Sequence, residues 1–331
     1  MSGSFFSIFE STTNSELLTM EQKLVSIAMA TYNGAKFLSR QLDSIYAQTY
    51  RPLEVIAVDD CSDDETLIIL EEYQNRHGLR VVRNPTRLGF MKNFEKVISL
   101  CSGEYIALST QDDIWLPHKI ERLVSSIGET SLICSDVSLI DERNAVMVQS
   151  LQRALHIPVP QTENQFTTLA FLDYVRGCTS MFHRSLMSRA LPIPEAAMSH
   201  DWWLGICATR MRGITYLSEQ LTLYRRHSSN TVGVHELWKL GSAVRYFFSS
   251  FRKEVFRRER NRIRLYLEMR LYNNKNEEEY LNDLLEHYLL LMKPGFHGKA
   301  FWLIFKHRKK IFADLGLVAK YRYMLGRLAT F

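Results

Sequence analysis

The first third of the chain is built from short unbroken apolar blocks, each closing on a polar cluster. Leu24 to Ala30 reads LVSIAMA and ends in Thr31-Tyr32-Asn33-Gly34, a turn signal. Ala35 to Gln48 carries Phe37, Leu38, Leu42 and Ile45 at helical spacing. Leu53 to Val58 is a second buried-strand pattern and runs into Asp59-Asp60-Cys61-Ser62-Asp63-Asp64. A helix over about Asp64 to Arg76, a short strand at Leu79 to Arg83 and a helix from Phe90 to Leu100 follow. Then Glu104 to Trp115 reads EYIALSTQDDIW, an apolar strand that meets two adjacent carboxylates, Asp112 and Asp113. Strands alternating with helices of this length predict an α/β fold with a mostly parallel, Rossmann-like sheet. Right-handed crossovers gather the C-terminal strand ends at one edge, so the four polar loops are expected to face one crevice.

The chemistry in those loops is phosphate-directed. Neighbouring carboxylates repel unless a cation or a bank of donors compensates them, and a divalent ion that also bridges substrate phosphates does so. The competing reading is a pair that caps the next helix, since Pro117 suits a helix start. Arg87 beside Gly89 offers a cation and backbone donors to a diphosphate, or is a solvated loop cation. Neither GxxxxGK[ST] nor GxGxxG occurs. Phosphates would therefore be neutralised mainly by metal and Arg87.

Downstream, Met198 to Leu204 reads MSHDWWL, with Asp201 near the start of an apolar helix. A carboxylate beside two aromatic rings suits a general base, and a helix cap equally. Trp202 or Trp203 could stack on a sugar face or fill the core. Tyr224 to Asn230 (YRRHSSN) reads either as a phosphate- and metal-contacting loop or as a basic linker.

Taken in order and spacing, VSIAMATYNG, VIAVDDCSDDET, RNPTRLGFMKNF and GEYIALSTQDDIWLPHKIE resemble the family 2 glycosyltransferases of the GT-A fold. The likeness is closest to bacterial O-antigen and surface-polysaccharide enzymes of rhamnosyltransferase-like type, over about Leu24 to Asn230. The resemblance implies that Thr31, Tyr32 and Asn33 contact the nucleotide and that Asp59 bonds the base. Asp60 would order its turn, and Arg87 and Gly89 to Asn93 would lie along the diphosphate. Asp112 would sit near ribose and metal, and Asp113 would be the direct ligand of Mn2+ or Mg2+. Gln111 stands where many members carry another acid. Asp201 would be the base of an inverting transfer, while His200, in place of the commoner acidic neighbour, is not read as catalytic. Arg225 and His227 match an Arg-x-His element that closes on the diphosphate, His227 reaching the metal. A dTDP-rhamnose or UDP-hexose donor and a glycan or lipid-linked acceptor follow from the same likeness. A nucleotidyltransferase, or a non-catalytic nucleotide-sugar-binding scaffold subunit, are the rival readings.

Composition adds a division of the chain. Of the net charge of +5, residues 231–331 hold +10, from 20 Lys and Arg against 10 Asp and Glu, which leaves −5 on residues 1–230. The expected organisation is a polar extension over 1–23, a catalytic domain over 24–230 and a basic, mainly helical region over 231–331. Basic residues beside Trp and Phe in that last region suit an anionic membrane surface, so peripheral contact with the inner leaflet is expected. Nucleic acid is not, because no recognition motif accompanies the charge. Five scattered cysteines without CxxC point to reduced thiols, and no basic-then-apolar leader pattern or 18-residue apolar run is found, so a cytoplasmic setting is expected.

Overall fold

A computed structural model of the chain describes residues 22–155, 157, 159, 164–227, 250–271, 273–293 and 298–311. The expected extension over 1–23 therefore falls almost wholly outside the described residues, as do Ser228 to Asn230. Strands Val25–Thr31 (β1), Leu53–Asp59 (β2), Arg80–Arg83 (β3) and Tyr105–Ser109 (β4) alternate with helices Ala35–Tyr46 (α1), Thr66–His77 (α2) and Phe90–Ser99 (α3). All pairings among these four strands are parallel, with Thr31 level with Asp59 and Met29 level with Ser109. Their C-terminal ends thus share one edge, as the apolar blocks predict.

The rest of the sheet is mixed, which corrects the expectation of a mostly parallel one. Ile114–Trp115 (β5), Leu132–Ile140 (β6), Val146–Val148 (β7), Ser180–His183 (β8) and Ile214–Arg225 (β9) complete it, interspersed with Lys119–Ser126 (α4), Leu151–Leu155 (α5), Gln165–Phe171 (α6), Met187–Ala190 (α7) and His200–Thr209 (α8). The strand order is β3-β2-β1-β4-β8-β6-β9-β5, with β7 beside β6. β8 runs antiparallel to both β4 and β6, β5 runs antiparallel to β9, and β6 pairs parallel with β9. The cause is local. β8 is fed by the 3-10 turn Gly177–Thr179, which is tied to the same edge where β4 ends, so β8 can only run back the other way.

Successive strand residues face opposite layers, and both layers are apolar. Ile27, Met29 and Ala107 pack with Leu38, Leu42, Ile45 and Leu123 of α1 and α4. Ala28, Ile106 and Leu108 pack with Phe94, Val97 and Ile98 of α3 and with Trp202, Trp203 and Leu204 of α8. The second layer is continued by the C-terminal helices Ser250–Glu268 (α9), Lys275–Leu291 (α10), Gly298–Lys306 (α11) and Arg308–Ile311 (α12). Ile263, Tyr266, Tyr280, Leu284, Tyr288, Ala300 and Ile304 join that core. The basic region is thus packed on the body as well as solvated on its outer face. Among the described residues no helix is long and apolar enough to cross a membrane.

Candidate functional site

The loops after β1, β2 and β4 are laced together by side chains that each strand end supplies. Asp59, fully buried, accepts from Thr31 Oγ1 at 3.1 Å and from Ser62 N at 2.9 Å, with Ser62 Oγ as a further donor. Asn33 N donates to Ser62 Oγ at 2.9 Å, and Gly34 N donates to Thr66 Oγ1 at 2.8 Å. Asp60 reaches across the edge: its Oδ1 accepts from Asn84 Nδ2 at 2.8 Å and Leu88 N at 2.7 Å, and its Oδ2 accepts from Gly89 N at 2.8 Å. Asp60 therefore holds the loop carrying Arg87 rather than its own turn. Asn93, also buried, donates to Val58 O at 2.9 Å and accepts from Asn84 Nδ2 at 2.9 Å.

These contacts revise part of the expected nucleotide set. Thr31, Asp59 and Asn93 spend their polar atoms on one another's loops and shape the crevice floor. Tyr32, Asn33 and Arg87 lie towards solvent, with the exposed Arg87 guanidinium 3.9 Å over the Tyr32 ring. Gln111 is the clamp between strand ends: its amide nitrogen donates to Tyr32 O at 2.9 Å and its amide oxygen accepts from Tyr32 N at 2.8 Å. An acid there could not supply the donor, since a carboxylate only accepts. The clamp passes close to Gly34, where a Cβ would lie 2.3 Å from Gln111 Oε1 and would have to displace the amide.

The two adjacent aspartates point in opposite directions. Asp113 is fully buried, its Oδ2 accepting from Thr110 Oγ1 at 2.6 Å and its Oδ1 from Arg225 N at 3.0 Å. Burial, then the charge of Asp112, pushes its carboxyl above the usual range. Asp112 instead meets His227, with Oδ2 and Nε2 2.8 Å apart, and the imidazole leans on Phe37 at 5.1 Å between centroids. Of the two carboxylates, Asp113 is enclosed while Asp112 stands beside His227. Neither aspartate caps α4.

Arg225 also departs from expectation. It is fully buried, donating from Nε to Asp112 O at 2.9 Å and from Nη1 to Asp141 O at 2.9 Å, with its guanidinium 4.6 Å over Phe37. Burial lowers its pKa. It staples the Asp112–Asp113 loop to the turn after β6.

Asp201 lies in the first turn of α8, whose cap is Ser199. Its Oδ1 accepts from Trp202 N at 2.9 Å and its Oδ2 from Gly177 N at 2.7 Å. Trp202 and Trp203 are core residues, their indole N–H groups donating to Leu169 O and Ala190 O, both at 2.8 Å. Neither presents a face to a sugar. His200 is buried and stacked on Phe94 at 3.7 Å between centroids, and burial lowers its pKa. The turn that Asp201 holds leads directly to the other half of the site. Cys178 O accepts from Lys119 Nζ at 2.6 Å and from Thr222 Oγ1 at 3.3 Å. Burial and then the charge of Asp113 raise the Cys178 thiol, and Asp201 adds to the effect. Lys119, fully buried against the Trp115 ring at 3.5 Å, is pushed down by burial to about 7.

Sequence reasoning did not single out Lys119 or Asp173. Asp173 shares the loop that Asp201 grips, accepting from Val175 N at 3.1 Å. Burial, then the charge of Asp201, raises it to about 7. No spacing signal marks such residues, because the fold alone brings them to the neighbourhood of Asp201.

Residues 26–190 match the Glycosyl transferase family 2 profile. An uncharacterized protein of Mycobacterium tuberculosis is 30% identical over 230 residues, covering 65% of this chain and 60% of the relative. The chain thus spans about 60% of the length of that mycobacterial protein. A dTDP-rhamnosyl transferase of Shigella flexneri is 28% identical over 226 residues, covering 64% of this chain and 75% of the relative. Among solved structures, a mannosyltransferase of Pyrobaculum calidifontis in complex with GDP-Man and Mn2+ superposes with a TM-score of 0.56 at 16% identity, covering 94% of this chain and 82% of that one. TarS of S. aureus in complex with UDP gives 0.53 at 19% identity over 92% and 79%. At these identities the superpositions bear on fold alone, and they place the mixed sheet and its helical continuation among known glycosyltransferase architectures. Residues 26–190 of the chain thus form a family 2 glycosyltransferase domain.

Proposed function

We propose that the crevice binds a nucleotide-diphosphate sugar and transfers the sugar, with inversion, to a hydroxyl of a growing surface glycan. The observation that carries this reading is the linkage of two chemistries across one turn. The Asp112–His227 pair stands at the strand ends, and Asp201 grips Gly177 N on the turn whose next carbonyl is held from the other half. A dTDP-rhamnose donor is favoured by the Shigella relative's name, with a UDP-hexose as the alternative.

The donor set fits a divalent ion delivered with the nucleotide. Asp112 Oδ2 and His227 Nε2, 2.8 Å apart, are the residues that would hold it, an oxygen and an imidazole nitrogen suited to such ions. Among the described residues no third His, Cys, Asp or Glu joins them, so the chain alone would hold the ion weakly and the nucleotide would be needed to complete the site. Mn2+ or Mg2+ held there would supply positive charge against the departing diphosphate. The chain's own residues do the rest. Asp113 and Arg225 fix the backbone of Asp112, and Phe37 fixes the imidazole plane. Two N–H donors hold the Asp201 carboxylate in one rotamer, leaving lone pairs for the acceptor hydroxyl proton. Arg87 and Tyr32 are free to close on the nucleotide.

The proposed division is a catalytic unit over 24–230 with the helices after it serving as its second wall. We place the acceptor end at the cytoplasmic face of the inner membrane. Trp302 is 54% exposed on α11 with Lys306 Nζ 5.8 Å from its ring, although Lys299 and Lys306 are already paired with Glu286, Glu279 and Asp283.

The test is a panel of dTDP- and UDP-sugars with the purified protein, with and without Mn2+, scored for nucleoside diphosphate release. Metal-dependent release from one donor, abolished in Asp201→Asn only for transfer to acceptor, is expected. Release of pyrophosphate would instead make the protein a nucleotidyltransferase. Unchanged transfer by Asp201→Asn would remove the base assignment.

A further inference from the structure

Interior arginines of this chain are generally engaged. Arg225 donates to carbonyls, Arg262 donates to Ala170 O at 2.7 Å, and Arg210 pairs with Glu277 at 3.1 Å. Arg176 is different. It is half-buried, yet among the described residues its guanidinium makes no hydrogen bond and no ion pair. Its backbone is held firmly. Arg176 O accepts from Thr179 N at 3.0 Å, Thr179 Oγ1 at 3.0 Å and Ser180 Oγ at 2.6 Å, while the next residue's N–H is held by Asp201.

Its charge reaches several groups around the turn, Cys134 and Tyr216 of the sheet among them. It favours the ionised form of Asp173, the neighbour of Asp201. It also favours the ionised forms of Cys178 and Tyr224, whose other electrostatic neighbours include Asp113 and, for Tyr224, Asp112. A guanidinium that has lost part of its hydration without gaining a counter-anion is costly unless an anion arrives. Its planar fork matches phosphoryl oxygens. The nearby Asp173 is a poor substitute, because burial and Asp201 push its carboxyl above the usual range and Val175 N occupies one of its oxygens.

We infer that Arg176 is a phosphate-oxyanion ligand of this crevice, carried beside Asp201 on a backbone pinned at both ends. The inference rests on the nucleotide-sugar reading of the site. The oxyanion has two sources of one chemistry, the donor's diphosphate or a diphosphate linking the acceptor glycan to its lipid.

The experiment compares wild type, Arg176→Gln and Arg176→Lys in the full chain with Mn2+ present. Calorimetric titration with UDP and dTDP reads the donor source. The KM for a prenyl-diphosphate-linked saccharide, set against the same saccharide as a methyl glycoside, reads the acceptor source. Loss of one charge-assisted hydrogen bond corresponds to roughly ten- to a hundredfold. Arg176→Gln is expected to weaken either nucleotide affinity or the prenyl-diphosphate KM by that factor, with the methyl glycoside KM unmoved. Arg176→Lys, which keeps the charge without the fork, should lose less and guards against a folding artefact. If both nucleotide affinity and the prenyl-diphosphate KM match wild type, the inference fails. Asp201→Asn measured alongside separates that failure from failure of the underlying reading: it should bind nucleotide normally and lose transfer.

Discussion

Asp112 and His227 are 115 positions apart in the chain and 2.8 Å apart through Oδ2 and Nε2, whereas the adjacent Asp113 turns inward to Thr110 and Arg225. Adjacent carboxylates therefore have different tasks. Asp112→Asn and His227→Ala are expected to cut Mn2+-stimulated nucleoside diphosphate release roughly a hundredfold, by analogy with the loss of a ligand or its orienting partner. Asp113→Asn is expected to retain metal stimulation and to lose stability instead. Metal titration of release in the three variants decides between them, and a metal-insensitive Asp113→Asn would restore the opposite ranking.

Gln111 bonds both the N–H and the carbonyl of Tyr32. Gln111→Glu leaves the carbonyl facing an acceptor, so a loss of about 1–3 kcal/mol is expected from the unsatisfied pair. Urea denaturation at pH 8 measures it. Stability equal to wild type would show that the clamp is dispensable.

Arg225 is a fully buried staple between two loops. Arg225→Lys cannot make the same spread of bonds, and a loss of about 3 kcal/mol is expected from leaving carbonyls unserved and a cation misplaced. At a temperature where the variant is folded, its UDP and dTDP affinities should stay within a few-fold of wild type. A hundredfold loss of affinity without loss of stability would return Arg225 to the diphosphate.

Asp173 is raised to about 7 by burial and by Asp201, against an unfolded value of about 3.9. The folded state therefore binds the extra proton between those values, and by linkage stability falls as pH rises through that window. Asp173→Asn removes the dependence. Its melting temperature should exceed wild type at pH 8 and approach it at pH 4, relative to the same comparison at intermediate pH. An offset that is constant with pH would show that Asp173 is not protonated in the folded chain.

The parallel half of the sheet was legible because each strand is buried on both faces, and LVSIAMA and EYIALS announce that directly. The convergence of TYNG, DDCSD, NPTRLG and TQDD at one edge followed from the same alternation. The strand direction of Ser180–His183 was not legible, since it depends on Asp201 and Lys119 tying the preceding turn. Roles within runs of like residues were hidden for a related reason. Asp59 against Asp60 and Asp112 against Asp113 are equivalent by composition, and only the loop backbone decides which carboxylate turns inward. The enclosure of Arg225 was hidden as well, because charge is visible in sequence and burial is not.

The stacking of Arg262 on Trp202, 3.7 Å from guanidinium to ring, bears on how such chains can be recombined. The family profile ends at residue 190, the proposed base comes at 201, and the side chain covering its neighbour comes from 262. A chimera joined at the profile's edge would pair a base with a foreign lid. For exchanging donor or acceptor preference between relatives, the smallest transplantable cassette includes the helices through Ile311.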